Sequence, residues 1–354
     1  LEAEITKGTP EITVDLAVDN LAYPGAVTIT INGPDGDYNI TVGSQIVPVT
    51  VINGSAIETI SDIAVGTQTA TVNFAGNDNY NNASVTTESF TIVSSTPDIS
   101  ASAANVWIGN DATVIVTVPS DAQGNVVITV NGKKYTAEIN AGTATATISA
   151  DDLIAGENAI DVTFAGDDNY ASSFNSTTVF VLDGVITNAT YAKYFDASGY
   201  LVDIVPEGAT LDFQGLFQGK YPVFINKPVN IITSTGDAVI DSSKTATFNV
   251  VAGGAYTNVT GLTFINTVIF VTGAQHVTLD NISTTASMSG VGSGTGFVCF
   301  RAYSEYGTIK NSYLENAGNG GSSVVVAGGG APYLTVDNNI FNITGSSGNI
   351  ISGN

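Results

Sequence analysis

At 354 residues the chain has room for two or three domains, each large enough to bury a core. Hydrophobic residues make up 43% and charged residues only 12%, which excludes general disorder and leaves Thr, Ser, Asn and Gly to build the surface. The 32 acids outnumber the 9 bases, giving a net charge of −23; this repels phosphate backbones and anionic membranes, so nucleic acid is excluded, and cations or neutral and cationic surfaces remain as partners.

Cys299 is the single cysteine, so it reads as a small buried hydrophobe and says nothing about disulfides. No run of about 18 apolar residues occurs, so no membrane span is expected in this chain. The opening Leu1-Glu2-Ala3-Glu4 resembles neither a start codon nor a signal peptide, and the expectation is a mature or excised piece of an exported protein. Eight Asn-x-Ser/Thr sequons, at Asn39, Asn53, Asn82, Asn175, Asn188, Asn258, Asn281 and Asn342, are glycosylation candidates in that setting.

In the first ninety-odd residues, Thr9-Pro10-Glu11-Ile12 opens an extended segment. Val27, Ile29 and Ile31 then alternate with Thr28 and Thr30 and run into Asn32-Gly33, the period of a half-buried strand entering a turn. Further strands are expected around 46–52, 56–60, 70–74 and 85–93. No helical periodicity competes, and short strands spaced by Gly, Pro and Asn predict a β-sandwich of immunoglobulin type. The second module repeats the plan: Val114, Val116 and Val118, then Val126, Ile128 and Val130 before Asn131-Gly132, then 136–139, 144–148, Ile160, Val162 and Phe164, and a closing strand at 178–182. Both Asn-Gly pairs predict type I′ hairpins, whose central residues need positive φ.

The strongest sign of repetition is Phe74-Ala75-Gly76-Asn77-Asp78-Asn79-Tyr80, which recurs 90 residues later as Phe164-Ala165-Gly166-Asp167-Asp168-Asn169-Tyr170. It reads as the turn before the last strand of each sandwich, its glycine supplying an unusual φ and its tyrosine folding over the sandwich end. Hard oxygens on Asp78, Asp167, Asp168 and Asn169 also make it a candidate calcium site, although seven residues alone give fewer than the six to eight ligands calcium takes. The order strand, Phe-Ala-Gly-Asp-x-Asn-Tyr, polar turn, last strand resembles the tandem immunoglobulin-like repeats of large prokaryotic surface proteins, especially the adhesin-like proteins of methanogenic archaea.

Beyond about residue 185 the texture changes. Tyr191, Tyr194 and Phe195 stand at i, i+3 and i+4, one or two helical turns that would cap a following domain. Four like segments then follow: Val259-Thr260-Gly261-Leu262, Val277-Thr278-Leu279-Asp280-Asn281, Gly307-Thr308-Ile309-Lys310-Asn311 and Leu334-Thr335-Val336-Asp337-Asn338, whose corner residues are spaced by 20, 30 and 27. Repeats of that length with Asn or Gly at one corner predict coils of a parallel β-helix, the asparagines bonding to neighbours above and below as a structural ladder. On Pro206-Glu207-Gly208-Ala209-Thr210-Leu211-Asp212-Phe213 and Asn258-Val259-Thr260-Gly261-Leu262-Thr263-Phe264, the region resembles the pectin-lyase-like β-helices that accompany immunoglobulin-like repeats in the same adhesin-like proteins. The tail 346–354 reads as the start of another coil, whose open end suggests either missing coils or head-to-tail self-association.

The expected fold is therefore all-β: immunoglobulin-like sandwiches at 1–94 and 95–182, a connector and cap at 183–228, and a right-handed parallel β-helix at 229–354. No catalytic residue stands out. Asp237, Asp241, Asp280 and Asp337 are scattered rather than paired, as glycoside hydrolysis would need; Arg301 reads as a strand end and His276 as a surface or turn residue. The family resemblance implies an extracellular adhesin-like protein binding cell-surface glycans or proteins, and the missing acid–base cluster implies that it is not an enzyme. Tyr303, Tyr306, Tyr313 and Tyr333 are the candidate stacking residues. The competing readings are a self-assembling filament or lattice subunit and a polysaccharide lyase or glycoside hydrolase.

Overall fold

The computed structural model describes residues 6–219, 221–242, 247–285, 297–316, 324–328, 331, 333–343 and 350–353. The tail reading falls on 346–354, of which only 350–353 are described. Across the described residues the protein is all-β, with a single four-residue α-helix at Tyr191–Tyr194. The chain forms two compact units: residues 1–104, 112–148 and 159–178 in one, residues 105–111, 149–158 and 179–354 in the other.

In the first sandwich, Thr13–Asn20, Gly25–Asn32 and Ser55–Ile63 make one sheet, and Gln45–Val51, Gly36–Val42, Ala70–Phe74 and Ala83–Thr86, in that spatial order, make the other. The alternation seen in the sequence faces inward as expected: Val27, Ile29, Ile31, Val72 and Phe74 are buried, as is Ile40 on Gly36–Val42, a strand not expected from the sequence. Each is worth about 1.5–3 kcal/mol for a fully buried side chain of this size. The second sandwich repeats the arrangement, with Ser100–Ala103, Ala112–Thr117 and Thr143–Ile148 in one sheet and Val106–Trp107, Ser173–Leu182, Gly156–Phe164, Asn125–Val130 and Lys133–Glu138 in the other.

The two Asn-Gly pairs part company here. Asn131 and Gly132, at φ 49° and 81°, form the tight hairpin expected, with Val130 opposite Lys133. Asn32-Gly33 does not, because the strands on either side of it lie in different sheets and the segment crosses between them. The first module's counterpart hairpin is Gly43-Ser44, which joins Val42 to Gln45.

Val185–Ile186 starts the first of three parallel sheets, and from Thr210 onward the described strands visit the three in rotation. The first holds Val185–Ile186, Thr210–Phe213, Asn230–Ile232, Asn258–Thr260, Thr278–Asp280, Thr308–Lys310 and Thr335–Asp337; the other two hold six strands each. Each circuit adds one strand to every sheet, so equivalent residues stack in columns. Leu211, Ile231, Val259, Leu279 and Ile309 form one interior column and are fully buried. In the second sheet the column reads Phe264, Thr284, Leu314, and the Thr284 hydroxyl is buried without a hydrogen-bond partner.

The helix Tyr191–Tyr194 joins this core as its apolar spacing predicts: Tyr191, Tyr194 and Phe195 are buried, and Tyr191 stacks on Phe195 at 4.7 Å. Lys227 fastens the first circuits by donating from Nζ to the carbonyls of Val202, Asp203 and Val205 at 3.0, 2.9 and 3.0 Å. Three acceptors satisfy all three ammonium protons.

Candidate functional site

The recurring seven-residue turn is built on an Asx lock. In the second copy, Asp167 Oδ1 accepts the backbone N–H groups of Asn169 and Tyr170, both at 2.8 Å, while Oδ2 accepts from Gln123 N–H at 2.8 Å. In the first copy Asn77 does the same with Asn79 and Tyr80, both at 2.9 Å, and its Nδ2 donates to the Asp35 carbonyl. Gly166 must be glycine: φ is 92° and a Cβ would lie 2.6 Å from the Tyr170 carbonyl oxygen. In the first copy an amide stands in place of the carboxylate and makes the same turn. A depression of about 300 Å³ adjoins Asp167, Asp168 and Asn169, but the donors do not fit calcium: both Asp167 oxygens already hold backbone N–H groups. Among the described residues no three His, Cys, Asp or Glu side chains converge as metal ligands, and Asp78 stands alone in its copy.

The turn's tyrosine has a role that the motif does not announce. Tyr170 Oη donates to Asp121 Oδ1 at 2.9 Å, and Tyr23, from a loop of the first sandwich, donates to Asp121 Oδ2 at 2.6 Å. The two rings meet edge to face, 5.3 Å apart at 87°. One carboxylate thus clasps a tyrosine from each sandwich. The hydrogen bond from Tyr23 holds the Asp121 carboxyl below its usual range, and the bond to Asp121 pushes Tyr23 up to about 12. Burial, then the same carboxylate, raises Tyr170. Tyr170 is 8% exposed, whereas Tyr80, its counterpart, is 37% exposed.

On the coil, the candidate tyrosines separate into different environments. Tyr306 and Tyr333 belong to a ladder that the sequence reading missed: Tyr256, His276, Tyr306 and Tyr333 stack face to face at 4.7, 4.8 and 4.9 Å with interplanar angles of 7°, 4° and 8°. All four have positive φ, between 57° and 64°. The signal was present, since each stands five residues before a corner residue, Gly261, Asn281, Asn311 or Asn338. His276 is therefore a rung of an aromatic stack. The inner faces cover one another, while the end rings Tyr256 and Tyr333 are 63% and 70% exposed. Tyr303 is 74% exposed and lies outside the stack.

Tyr313 stands by a second corner. Asn281, Asn311 and Asn338 hold φ of 51°, 54° and 50°, values that asparagine tolerates better than most residues. Asn338 Nδ2 donates to Asn311 Oδ1 at 2.7 Å, and Asn311 Nδ2 donates to Asp280 Oδ1 at 2.8 Å, so the amide ladder passes to the aspartate beside Asn281 instead of to Asn281 itself. Asp280 is also paired with Lys310 at 3.4 Å. A trough of about 300 Å³ runs along this corner, with Tyr313 among its lining residues.

The remaining sequence candidates are distributed as follows. Asn39, Asn53, Asn82 and Asn281 are exposed, Asn53 on a turn at φ 56°. The other four sequon asparagines have engaged side chains: Asn175 donates to the Ile99 carbonyl, Asn188 accepts from Tyr221, Asn258 donates to Asn230, and Asn342 donates to Tyr313 Oη and Glu315. Arg301 lies over the Phe270 ring at 3.7 Å, a cation–π contact. Asp237 accepts from Gly215 N–H at 3.2 Å and from Thr235.

No protein-family model matches the chain, and no curated protein matches it. Among solved structures it is similar to fibronectin(III)-like modules of Clostridium thermocellum CbhA, at 16% identity over 48% of this chain and 95% of that one, with a TM-score of 0.22. A 1.5-MDa bacterial ice-binding adhesin matches at 16% identity over 53% of this chain and 74% of that one, TM-score 0.24. The BSP domain of a biofilm-associated protein matches at 19% identity over 50% of this chain and 29% of that one, TM-score 0.19, so this chain spans under a third of its length.

Proposed function

We propose that the chain is part of an exported, surface-displayed adhesin-like protein, in which two immunoglobulin-like modules carry a right-handed parallel β-helix that binds glycans or proteins non-covalently. The right hand follows from the strong preference of parallel crossovers. The observation that carries the reading is the coil's exposed corners, where uncharged polar and aromatic side chains repeat rung by rung at fixed spacing. Such columns offer a preformed surface of neutral hydrogen-bonding groups. An extended, weakly charged ligand fits them better than a polyanion, which the net charge of −23 repels.

We take it to be a binder rather than a catalyst, because Asp280 is held by Lys310 and Asn311, and Arg301 by Phe270. The protein is to be tested on arrays of glycans and of immobilised surface proteins. Saturable binding to either is the expected result. Release of reducing ends or unsaturated products from a polysaccharide would overturn it, as would silence on both arrays.

A further inference from the structure

Within that reading, the geometry points to one particular site: the trough at the asparagine corner, which we propose binds an uncharged pyranoside. Its walls come from three successive rungs and include Asn281, Ser283, Asn311, Tyr313, Asn338 and Ile340. A trough of about 300 Å³ sits at the lower end of ligand-site volumes, the scale of one or two sugar rings.

The chemistry selects the ligand class. None of the six residues is charged; of the charges beside them Asp280 is paired with Lys310 at 3.4 Å, and Asp337 and Glu315 add only negative charge. A uronate or sulfated sugar would find no base to pair with. Among the described residues the Asn281 carboxamide has no side-chain hydrogen bond, so it offers a donor and an acceptor together, the pairing that adjacent hydroxyls need. Tyr313 accepts from Asn342 Nδ2 at 2.9 Å, which leaves its own proton to donate outward. Its ring, 36% exposed, and Ile340 supply the apolar wall for the C–H face of a sugar.

The site is also preformed. Backbone N–H groups of Asn281 and Asn311 donate to the carbonyls of Lys310 and Asp337 at 3.1 and 3.2 Å, fixing the corners, and the amide ladder fixes the side chain of Asn311. Little ordering is then required on binding, which favours affinity from a small contact. The inner rings of the tyrosine ladder, His276 and Tyr306, lack this capacity, since a neighbour covers each on both faces.

The test uses the full chain with neutral and acidic oligosaccharides of two to six sugars, screened on an array and measured by calorimetry. Wild type is expected to bind members of the neutral set. Tyr313→Leu should weaken binding about tenfold, the effect of losing an aromatic contact of about 1.4 kcal/mol, and Ser283→Trp, which fills the trough, should abolish it, both with melting temperature unchanged. Neutral-sugar binding that survives both substitutions overturns this site and leaves the broader reading standing. Binding confined to protein ligands does the same, and binding of neither class overturns both. A preference for acidic sugars, or a glycan found covalently attached to Asn281 in native material and so filling the trough, overturns the proposal.

Discussion

The clasp of the sandwiches and the ladders of the coil solve one problem, holding neighbouring repeats in register, with opposite chemistry. The clasp is a single charged centre: Asp121 gripping Tyr23 and Tyr170. The ladders are repeated and mostly uncharged, rings at 4.7–4.9 Å and an amide pair at 2.7 Å that ends on the Asp280 carboxylate, itself neutralised by Lys310. A joint made once can use an ionisable group, because nothing follows it that must match. A contact made on every rung cannot repeat one sign of charge, since like charges stacked at strand spacing would repel one another, and the coil's charged column alternates, Asp280, Lys310, Asp337.

That contrast can be broken most forcefully on the coil. Gly307, next to Tyr306, leaves no space for a methyl group, as a Cβ there would lie 2.3 Å from the buried Phe300 ring. Gly307→Ala should cost about 3 kcal/mol by overpacking, read as a lowered midpoint in chemical denaturation. Next in size is Tyr306→Ala, which removes two of the three ring contacts and should cost about 1–3 kcal/mol; Tyr306→Phe, keeping the rings, should restore most of it.

The clasp should respond less to substitution and more to pH. Asp121→Asn should cost about 1 kcal/mol or less at an exposed site, seen as a small shift in the melting of the sandwiches. Because the Asp121 carboxyl is held below its ordinary value, its contribution is complete above about pH 4 and disappears as pH falls through the depressed value. The tyrosines act in the other direction. Both are raised, Tyr23 to about 12, so their contribution is complete below about pH 10 and is lost as pH climbs through the raised values. A tyrosinate absorbance titration should show five late-titrating groups, Tyr38, Tyr191 and Tyr194 raised chiefly by burial, and in Asp121→Asn only Tyr23 and Tyr170 should move down, Tyr23 the further because its hydrogen bond to Asp121 is its largest cause; an unchanged titration would dismantle the clasp.

The smallest effect should be a gain. Thr284→Val replaces a buried hydroxyl without a partner by an apolar group of the same shape and should raise stability by up to about 1 kcal/mol. A loss of stability would mean that the hydroxyl is satisfied in solution.

Much of this arrangement is written in local pattern. The inward alternation of Val27, Ile29 and Ile31, the helical spacing of Tyr191, Tyr194 and Phe195, and the corner spacing of Gly261, Asn281, Asn311 and Asn338 all appear where a strand, a helical turn and a stacked column stand. Asn32-Gly33 misleads because a dipeptide reports the preference of its own backbone and not whether its flanking strands share a sheet. The aromatic ladder is legible only when the asparagine spacing is carried five residues back, which turns an isolated histidine into one member of a series. Nothing local identifies the clasp: Asp121 lies 98 residues from Tyr23 and 49 from Tyr170, a meeting that only tertiary folding arranges. The four candidate tyrosines look alike in sequence, and their separation into stacked, exposed and trough-lining positions depends on which corner of the rung each occupies.

The rotation of the chain through three sheets makes a single circuit the natural unit of growth. Each circuit touches mainly the one before and the one after, so duplicating the stretch between two corner asparagines would lengthen the coil without redesigning any existing contact. Both ladders would gain one member in the same event. For a protein of this plan, reach is a quantity that recombination can adjust in whole steps.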